Sequence, residues 1–72
     1  MRKELVGLAK LAPLGGFINS GDFKMIDLKE RYNKSDYYIV EVLDSLYESG
    51  EIRDLDVNYD IIDGHILSYK FR

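Results

Sequence analysis

Residues 28–52 have the spacing of two short helices joined by a tight turn, and this feature limits the fold more than any other. The second of these helices has an apolar side formed by Ile39, Val42, Leu43 and Leu46. Intervals of three and four residues place side chains on the same face of an α-helix. Gly50 follows at the point where a left-handed residue ends a helix. The pattern therefore predicts a helix over residues 36–49.

The residues around this helix indicate where it begins. Ser35 can cap it, and Asp36 would lie in its first turn, where the helix dipole favours negative charge. Asn33 can make the preceding turn, because Asn tolerates the left-handed conformation. Before that turn, a short second helix is predicted over residues 27–32, with Asp27 as its cap.

The first 24 residues are less regular than the rest. An apolar stripe predicts a first helix over residues 2–12, which Pro13 and the glycines at positions 15 and 16 would end. Residues 17–24 contain the turn signal Asn-Ser-Gly between two short apolar pairs. Either a short ribbon or an irregular loop fits this segment.

Residues 52–72 alternate apolar and polar side chains, which predicts a β-hairpin. A three-residue loop over residues 62–64, with Gly64 left-handed, pairs apolar residues on one face and opposite charges on the other. The predicted pairs are Leu55 with Phe71, Val57 with Tyr69, Tyr59 with Leu67, Asp54 with Arg72, Asp56 with Lys70, and Asn58 with Ser68. A two-residue loop would instead place Leu55 opposite Arg72, so the three-residue loop is favoured.

Length and composition predict a single domain over residues 1–72, of the α+β class, with three short helices followed by a C-terminal hairpin. A hydrophobic content of 46% is sufficient for one compact core. The chain has no cysteine, so no disulfide stabilises it. No secretory signal or membrane-spanning stretch is recognisable, and we therefore expect a cytoplasmic protein with no membrane partner.

The chain resembles a winged helix-turn-helix domain over residues 26–72, and the resemblance is carried by the pattern Leu28-x3-Tyr32-Asn33-x5-Ile39-x3-Leu43-x2-Leu46-x3-Gly50-x-Ile52. In that family Gly or Asn makes the turn, and the glycine leads into a hairpin called the wing. Lys34 departs from the pattern, which usually has an apolar residue after the turn. The resemblance implies a third helix whose outer side reads DNA.

The DNA-reading positions of that family, carried onto this chain, are Asp36, Tyr37, Tyr38, Glu41, Asp44 and Ser45. Three of these six residues are acidic, and no basic residue occurs between Ser35 and Arg53. DNA is a polyanion, and its affinity for proteins comes largely from Lys and Arg at its phosphates. Reading of DNA through the third helix is therefore disfavoured.

Charge is divided along the chain. Residues 1–35 hold seven basic and four acidic residues, whereas residues 36–63 hold nine acidic residues and one basic residue. The division indicates one basic and one acidic surface, each with its own partner, unless both are merely solvated faces. The basic side chains near the second helix are Lys24, Lys29, Arg31 and Lys34, with Arg2 or Lys10 beside them.

Two functions follow from this division. In the first, the acidic surface binds a basic protein surface or a nucleic-acid-processing protein, as an inhibitor or modulator that imitates DNA. Its candidate residues are Tyr37, Glu41, Asp44, Glu48, Asp54 and Asp56. In the second, the protein is a small DNA-binding transcriptional regulator, dimeric through the first helix. Its candidate residues are Lys24, Lys29, Arg31, Lys34, Tyr38, Ser45 and Lys70.

Tyrosine side chains could serve as amphipathic anchors for a partner, or they could pack in the core. We expect Tyr47, Tyr59 and Tyr69 to be packed. Tyr37 is expected on the outer face of the third helix.

The sequence contains little that indicates catalysis. His65 is the single histidine and is expected to be a solvated residue beside the hairpin turn. The glycines at positions 15 and 16 lack the strand-to-helix context of a phosphate-binding loop. The aspartates of the hairpin do not match the spacing of a calcium loop. We therefore expect no enzyme activity, cofactor or metal.

Overall fold

The computed structural model describes residues 1–11 and 17–72. In chain order the elements are α1 (Arg2–Leu11), β1 (Phe17–Asn19), α2 (Phe23–Tyr32), α3 (Asp36–Glu48), β2 (Leu55–Tyr59) and β3 (Ile66–Phe71). The α+β class, the three helices and the C-terminal hairpin are confirmed. The sequence predicted that the first helix ends at Ala12 and that Pro13 and the following glycines terminate it. These residues lie outside the described part of the chain.

A third strand enlarges the hairpin to a sheet. Strand β1 pairs antiparallel with β3, which gives the strand order β1-β3-β2. Neither the short ribbon nor the irregular loop expected for residues 17–24 includes this long-range pairing. Phe17 is aligned with Lys70 and Asn19 with Ser68. After the strand, Asn19 accepts the backbone N–H of Asp22 at 3.0 Å, so a tight turn leads directly into α2.

The second helix begins four residues earlier than the sequence predicted. Asp22 is its cap, because its backbone is extended and its carboxylate accepts the N–H of Lys24 at 2.9 Å. The prediction that Asp27 caps the helix is wrong, since Asp27 lies within α2 and pairs with Arg31. The earlier start brings Met25 into the core, where it is fully buried.

The third helix agrees with the prediction to within one residue. Asn33 has φ 53° and Gly50 has φ 81°, so both turns use the left-handed conformation that the sequence indicated. Ser35 has the extended backbone of a capping residue, although its side chain makes no capping hydrogen bond. The helical stripe is buried at Ile39, Leu43 and Leu46.

The hairpin has the predicted register over four pairs, from Leu55 with Phe71 to Asn58 with Ser68. The fifth pair is wrong, because an irregularity after Asn58 aligns Tyr59 with Ile66 rather than with Leu67. The turn is wider than three residues because Asp60 N donates to His65 O at 2.8 Å. Ile66 is buried in consequence, and Leu67 is exposed.

One hydrophobic core joins the helices to the sheet. Its buried residues are Leu5, Met25, Leu28, Ile39, Leu43, Leu46, Ile52, Ile66, Tyr69 and Phe71. Burial of such side chains is the main source of stability in a chain of this size. No helix among the described residues is long and apolar enough to cross a membrane.

Helix α1 is fixed to α2 through a group of charges around Glu4. The carboxylate of Glu4 accepts a hydrogen bond from the Tyr32 hydroxyl, and it pairs with Arg31 at 3.3 Å and with the N-terminal ammonium of Met1 at 3.0 Å. The hydrogen bond from Tyr32, followed by that from the N-terminus, lowers the pKa of Glu4 to about 2. The ionised carboxylate therefore favours the folded state.

This depressed pKa predicts an acid-sensitive contact between α1 and α2. The stability contributed by Glu4 is complete above its ordinary pKa of 4.5 and is lost as the pH falls towards about 2. In that range the unfolded chain binds more protons than the folded chain. We expect Glu4→Gln to make the free energy of unfolding less dependent on pH below about pH 4.5. Urea titrations of both proteins across this range measure the effect, and parallel pH profiles would contradict it.

Candidate functional site

The outward face of α3 carries three exposed carboxylates, which we call the acidic stripe: Glu41, Asp44 and Glu48. They recur at intervals of three and four residues, on the side of the helix opposite the buried stripe. Among residues 1–11 and 17–72, no ion pair involves any of the three. Glu41 nevertheless lines a depression of about 490 Å³ together with Arg2 and Lys34, so cations lie near this end of the stripe without pairing with it.

The hairpin carries further exposed carboxylates beside the end of α3. Tyr47, near the end of α3, is 51% exposed, so the prediction that it is packed is wrong, as it is for Tyr59 at 47%, whereas Tyr69 is buried as predicted. Tyr47 lines a depression of about 340 Å³ together with Asp54 and Asp56. Lys70 and Arg72 line the same depression, so this end of the surface carries both signs of charge. Of the six residues predicted to bind a protein, the structure brings Asp54 and Asp56 together at this depression, whereas Glu41 lines another depression with Arg2 and Lys34.

The other end of α3 is tied to the turn of the hairpin. The hydroxyl of Tyr37 donates a hydrogen bond to Gly64 O at 3.2 Å. Tyr37 is 57% exposed, as the sequence predicted, so its ring is available to a partner although its hydroxyl is engaged. We use the name acidic surface for Tyr37, the acidic stripe, Tyr47, Asp54 and Asp56 together. The hydrogen bond from Tyr37 therefore connects the first turn of α3 to the hairpin turn.

Asp36 has a structural role rather than a place on this surface. Its carboxylate pairs with Lys29 at 3.1 Å and accepts a hydrogen bond from the Tyr69 hydroxyl. Lys29 also donates to Ser20 O at 3.1 Å. Burial, and then the hydrogen bond to Asp36, raise the pKa of Tyr69 above its ordinary value. The group joins α2, α3 and β3, so Asp36 and Lys29 are engaged inside the protein.

Several predicted nucleic-acid contacts are likewise engaged within the protein. Arg31 pairs with Asp27 and with Glu4, and Arg2 pairs with Glu51 at 2.9 Å. Arg2 also donates to the hydroxyl of Ser45 at 2.8 Å. The positive charge on the helical side of the molecule is therefore partly neutralised by its own carboxylates.

The remaining members of the basic set are more accessible. Lys34 lies 4.7 Å from the centre of the Tyr38 ring, which is a cation–π contact. Lys24 and Lys70 are exposed and form no ion pair among the residues that the structure describes. They belong to α2 and β3, respectively, whereas Lys34, Tyr38 and Ser45 line one depression together with Glu41. The structure therefore brings together only part of the basic set.

The hairpin turn contains features that the sequence reasoning missed. Ile61 is 100% exposed and Ile62 is 92% exposed. Beside them, Asp60, Asp63 and His65 place possible metal-ligating atoms within 4.8 Å of one another. Hydrogen bonds within the turn account for this arrangement, because Asp63 contacts the His65 ring and accepts its backbone N–H. The signal in the sequence is the pair Ile61-Ile62 between Asp60 and Asp63, of which the predicted three-residue loop includes only Ile62 and Asp63.

We compared the chain with protein-family models, with curated proteins and with solved structures, and none of them matches it. Its family is therefore undetermined. The chemistry of the acidic surface is therefore the basis for its functional assignment.

Proposed function

We propose that this protein is a non-enzymatic, winged-helix-like binding module that docks on a basic protein surface. The observation that carries the proposal is the acidic stripe, three exposed carboxylates on α3 without an internal ion pair among the described residues. The element order α1-β1-α2-α3-β2-β3 and the left-handed turns at Asn33 and Gly50 support the winged-helix part of the proposal.

The charge of the stripe indicates the class of partner. A helix that approached DNA with Glu41 and Asp44 would place carboxylates among phosphates, which adds repulsion instead of releasing counterions. A protein with a basic groove offers the complementary potential, and such complementarity raises association rates and selects partners. Proteins that process nucleic acids have grooves of this kind. We therefore propose that the module modulates or inhibits such a protein by occupying the groove.

The proposal predicts that charge reversal on the stripe abolishes most of the binding. Folded domains that bind the wild-type chain are selected from a display library made from the genome of the source cells. We expect Glu41→Lys with Asp44→Lys to weaken their binding about 30-fold, because like charges would then face each other across the interface. Isothermal titration calorimetry measures the dissociation constants.

Glu30→Lys is the matched control for Asp44→Lys, because it makes the same change of charge at an exposed position on α2. It should leave the affinity within about twofold, since surface charges outside an interface contribute little. Equal affinities of the wild-type and doubly reversed chains would overturn the proposal. The proposal would also be overturned if the protein bound a 20-base-pair DNA duplex at about 50 mM salt, with this binding kept in the doubly reversed variant and lost in Lys34→Glu.

A further inference from the structure

The hairpin turn presents two consecutive aliphatic side chains to solvent, which we call the apolar tip: Ile61 and Ile62. Their exposed fractions of 100% and 92% show that neither packs on the protein. Single exposed apolar residues are common on protein surfaces, whereas adjacent fully exposed ones form a patch that water solvates poorly. The folded state gains no burial from the tip, which leaves both side chains accessible to another molecule.

The backbone beneath the tip is held in one conformation. Asp60 accepts the N–H of Ile62 at 2.8 Å and that of Asp63 at 3.3 Å through the same carboxylate oxygen. Gly64 N donates to Asp60 O at 2.9 Å, with Gly64 at φ 77°. The first two bonds also lower the pKa of Asp60, so the carboxylate is ionised at neutral pH. A turn that is ordered before binding loses little conformational entropy in a complex.

The surroundings of the tip limit what it can enter. Asp60 and Asp63 flank it, and Tyr37 links the turn to the acidic stripe through Gly64. Negative charges beside an apolar insertion oppose both anionic bilayers and phosphate backbones. The same charges favour an apolar hollow with a basic rim, which is a feature of folded proteins. The aspartates thus select the same kind of partner as the acidic stripe.

We propose that the apolar tip is the anchor of the docking surface, and that it inserts into an apolar hollow bordered by Lys or Arg on the protein that the acidic stripe recognises. The inference rests on the proposed function, since it assigns a second element of the same interface. Buried apolar anchors surrounded by polar rims supply most of the affinity of protein interfaces. The stripe then directs the approach, and the tip holds the complex together.

This division of roles gives the two elements different kinetic signatures. Long-range attraction by the stripe acts on the association rate and is screened by salt. Burial of the tip acts on the dissociation rate and is insensitive to moderate salt, because it is not a charge interaction. Surface plasmon resonance with the selected partner domain therefore separates the two elements.

The test uses the intact chain and the folded partner domains selected with it. We expect Ile61→Ser with Ile62→Ser to increase the dissociation rate about 30-fold, with the association rate and its salt dependence unchanged within about twofold. The matched control is Leu11→Ser, which removes an 80% exposed aliphatic side chain from α1 and should leave both rates unchanged. Thermal midpoints within about 2 °C of wild type check that the variants fold, since none of the three side chains is buried.

Each remaining outcome decides between the proposals. If the stripe reversal weakens binding and the tip variant does not, the anchor is overturned while the proposed function stands. If the stripe reversal does not weaken binding, or no partner domain is recovered, both proposals fall. Binding to phosphatidylserine vesicles or to a 20-base-pair duplex that is lost in the tip variant would assign the tip to a bilayer or a nucleic acid, and would overturn the anchor.

Discussion

Leu43→Ala is expected to lower the free energy of unfolding by about 3 kcal/mol. Leu43 lies in the middle of α3, is fully buried, and belongs to the cluster that joins the helices to the sheet. Its truncation removes buried apolar surface and leaves a cavity that the neighbouring side chains fill only in part. A domain of this length has a total stability of about 4–10 kcal/mol, so the loss is a large share of it.

Thermal and urea denaturation of this variant measure the loss. We expect the thermal midpoint to fall by about 12–24 °C, the range that corresponds to 3 kcal/mol in a domain of this size. Leu11→Ala is the matched control, because it makes the same substitution at an 80% exposed position of α1. That change should stay within about 0.5 kcal/mol. Similar losses in the two variants would show that Leu43 does not lie in the core.

The second large effect is expected for Asp36→Ala, which should lower the free energy of unfolding by about 2–3 kcal/mol. The substitution leaves Lys29 without its carboxylate partner and the hydroxyl of buried Tyr69 without an acceptor. It also removes a negative charge from the first turn of α3. Removal of one partner leaves the other desolvated and unpaired, which is more destabilising than replacement of both partners by apolar groups.

A series of variants separates these contributions. Asp36→Asn keeps an oxygen that Tyr69 can bond to while it removes the charge, so its loss should lie between those of wild type and Asp36→Ala. Tyr69→Phe with Asp36→Ala should be less destabilising than the sum of the single changes, since the two residues share one hydrogen bond. Additive losses in urea denaturation would mean that the contact contributes nothing to stability.

The parts of the fold that the sequence predicted depend on local signals. The apolar stripe of α3 follows the period of a helix, and the turns at Asn33 and Gly50 require residues that tolerate positive φ. The four correct pairs of the hairpin, from Leu55 with Phe71 to Asn58 with Ser68, follow from the alternation of apolar and polar side chains along two neighbouring segments. Each of these signals lies within a few residues of the structure that it specifies.

The errors occurred where distant or ambiguous partners decide the structure. Strand β1 exists because residues 17–19 pair with a segment about fifty residues later, and no local pattern reports such a partner. Asp22 and Asp27 are both acceptable caps, and the helix that begins after Asp22 is the one that buries Met25. The hairpin turn widened because Asp60 supplies acceptors for several backbone N–H groups.

The candidate site shows the same limit. Helical periodicity was sufficient to place Tyr37 and the acidic stripe on the outer side of α3. Charge counting could not show which basic side chains are engaged, because Lys29 and Arg31 find their carboxylates on other turns and other helices. The exposure of the apolar tip depends on the shape of the turn, and the predicted turn of residues 62–64 is shorter than the observed one.

The central position of β3 has a consequence for how the protein is made. Within the described part of the chain, β1 and β2 each pair with β3 and not with each other, so neither ladder can form before β3 is present. Until then the apolar sides of three helices have no sheet to cover them. The sheet therefore forms only when β3 joins, and before that step Leu28 and its neighbours can be covered by the other helices alone.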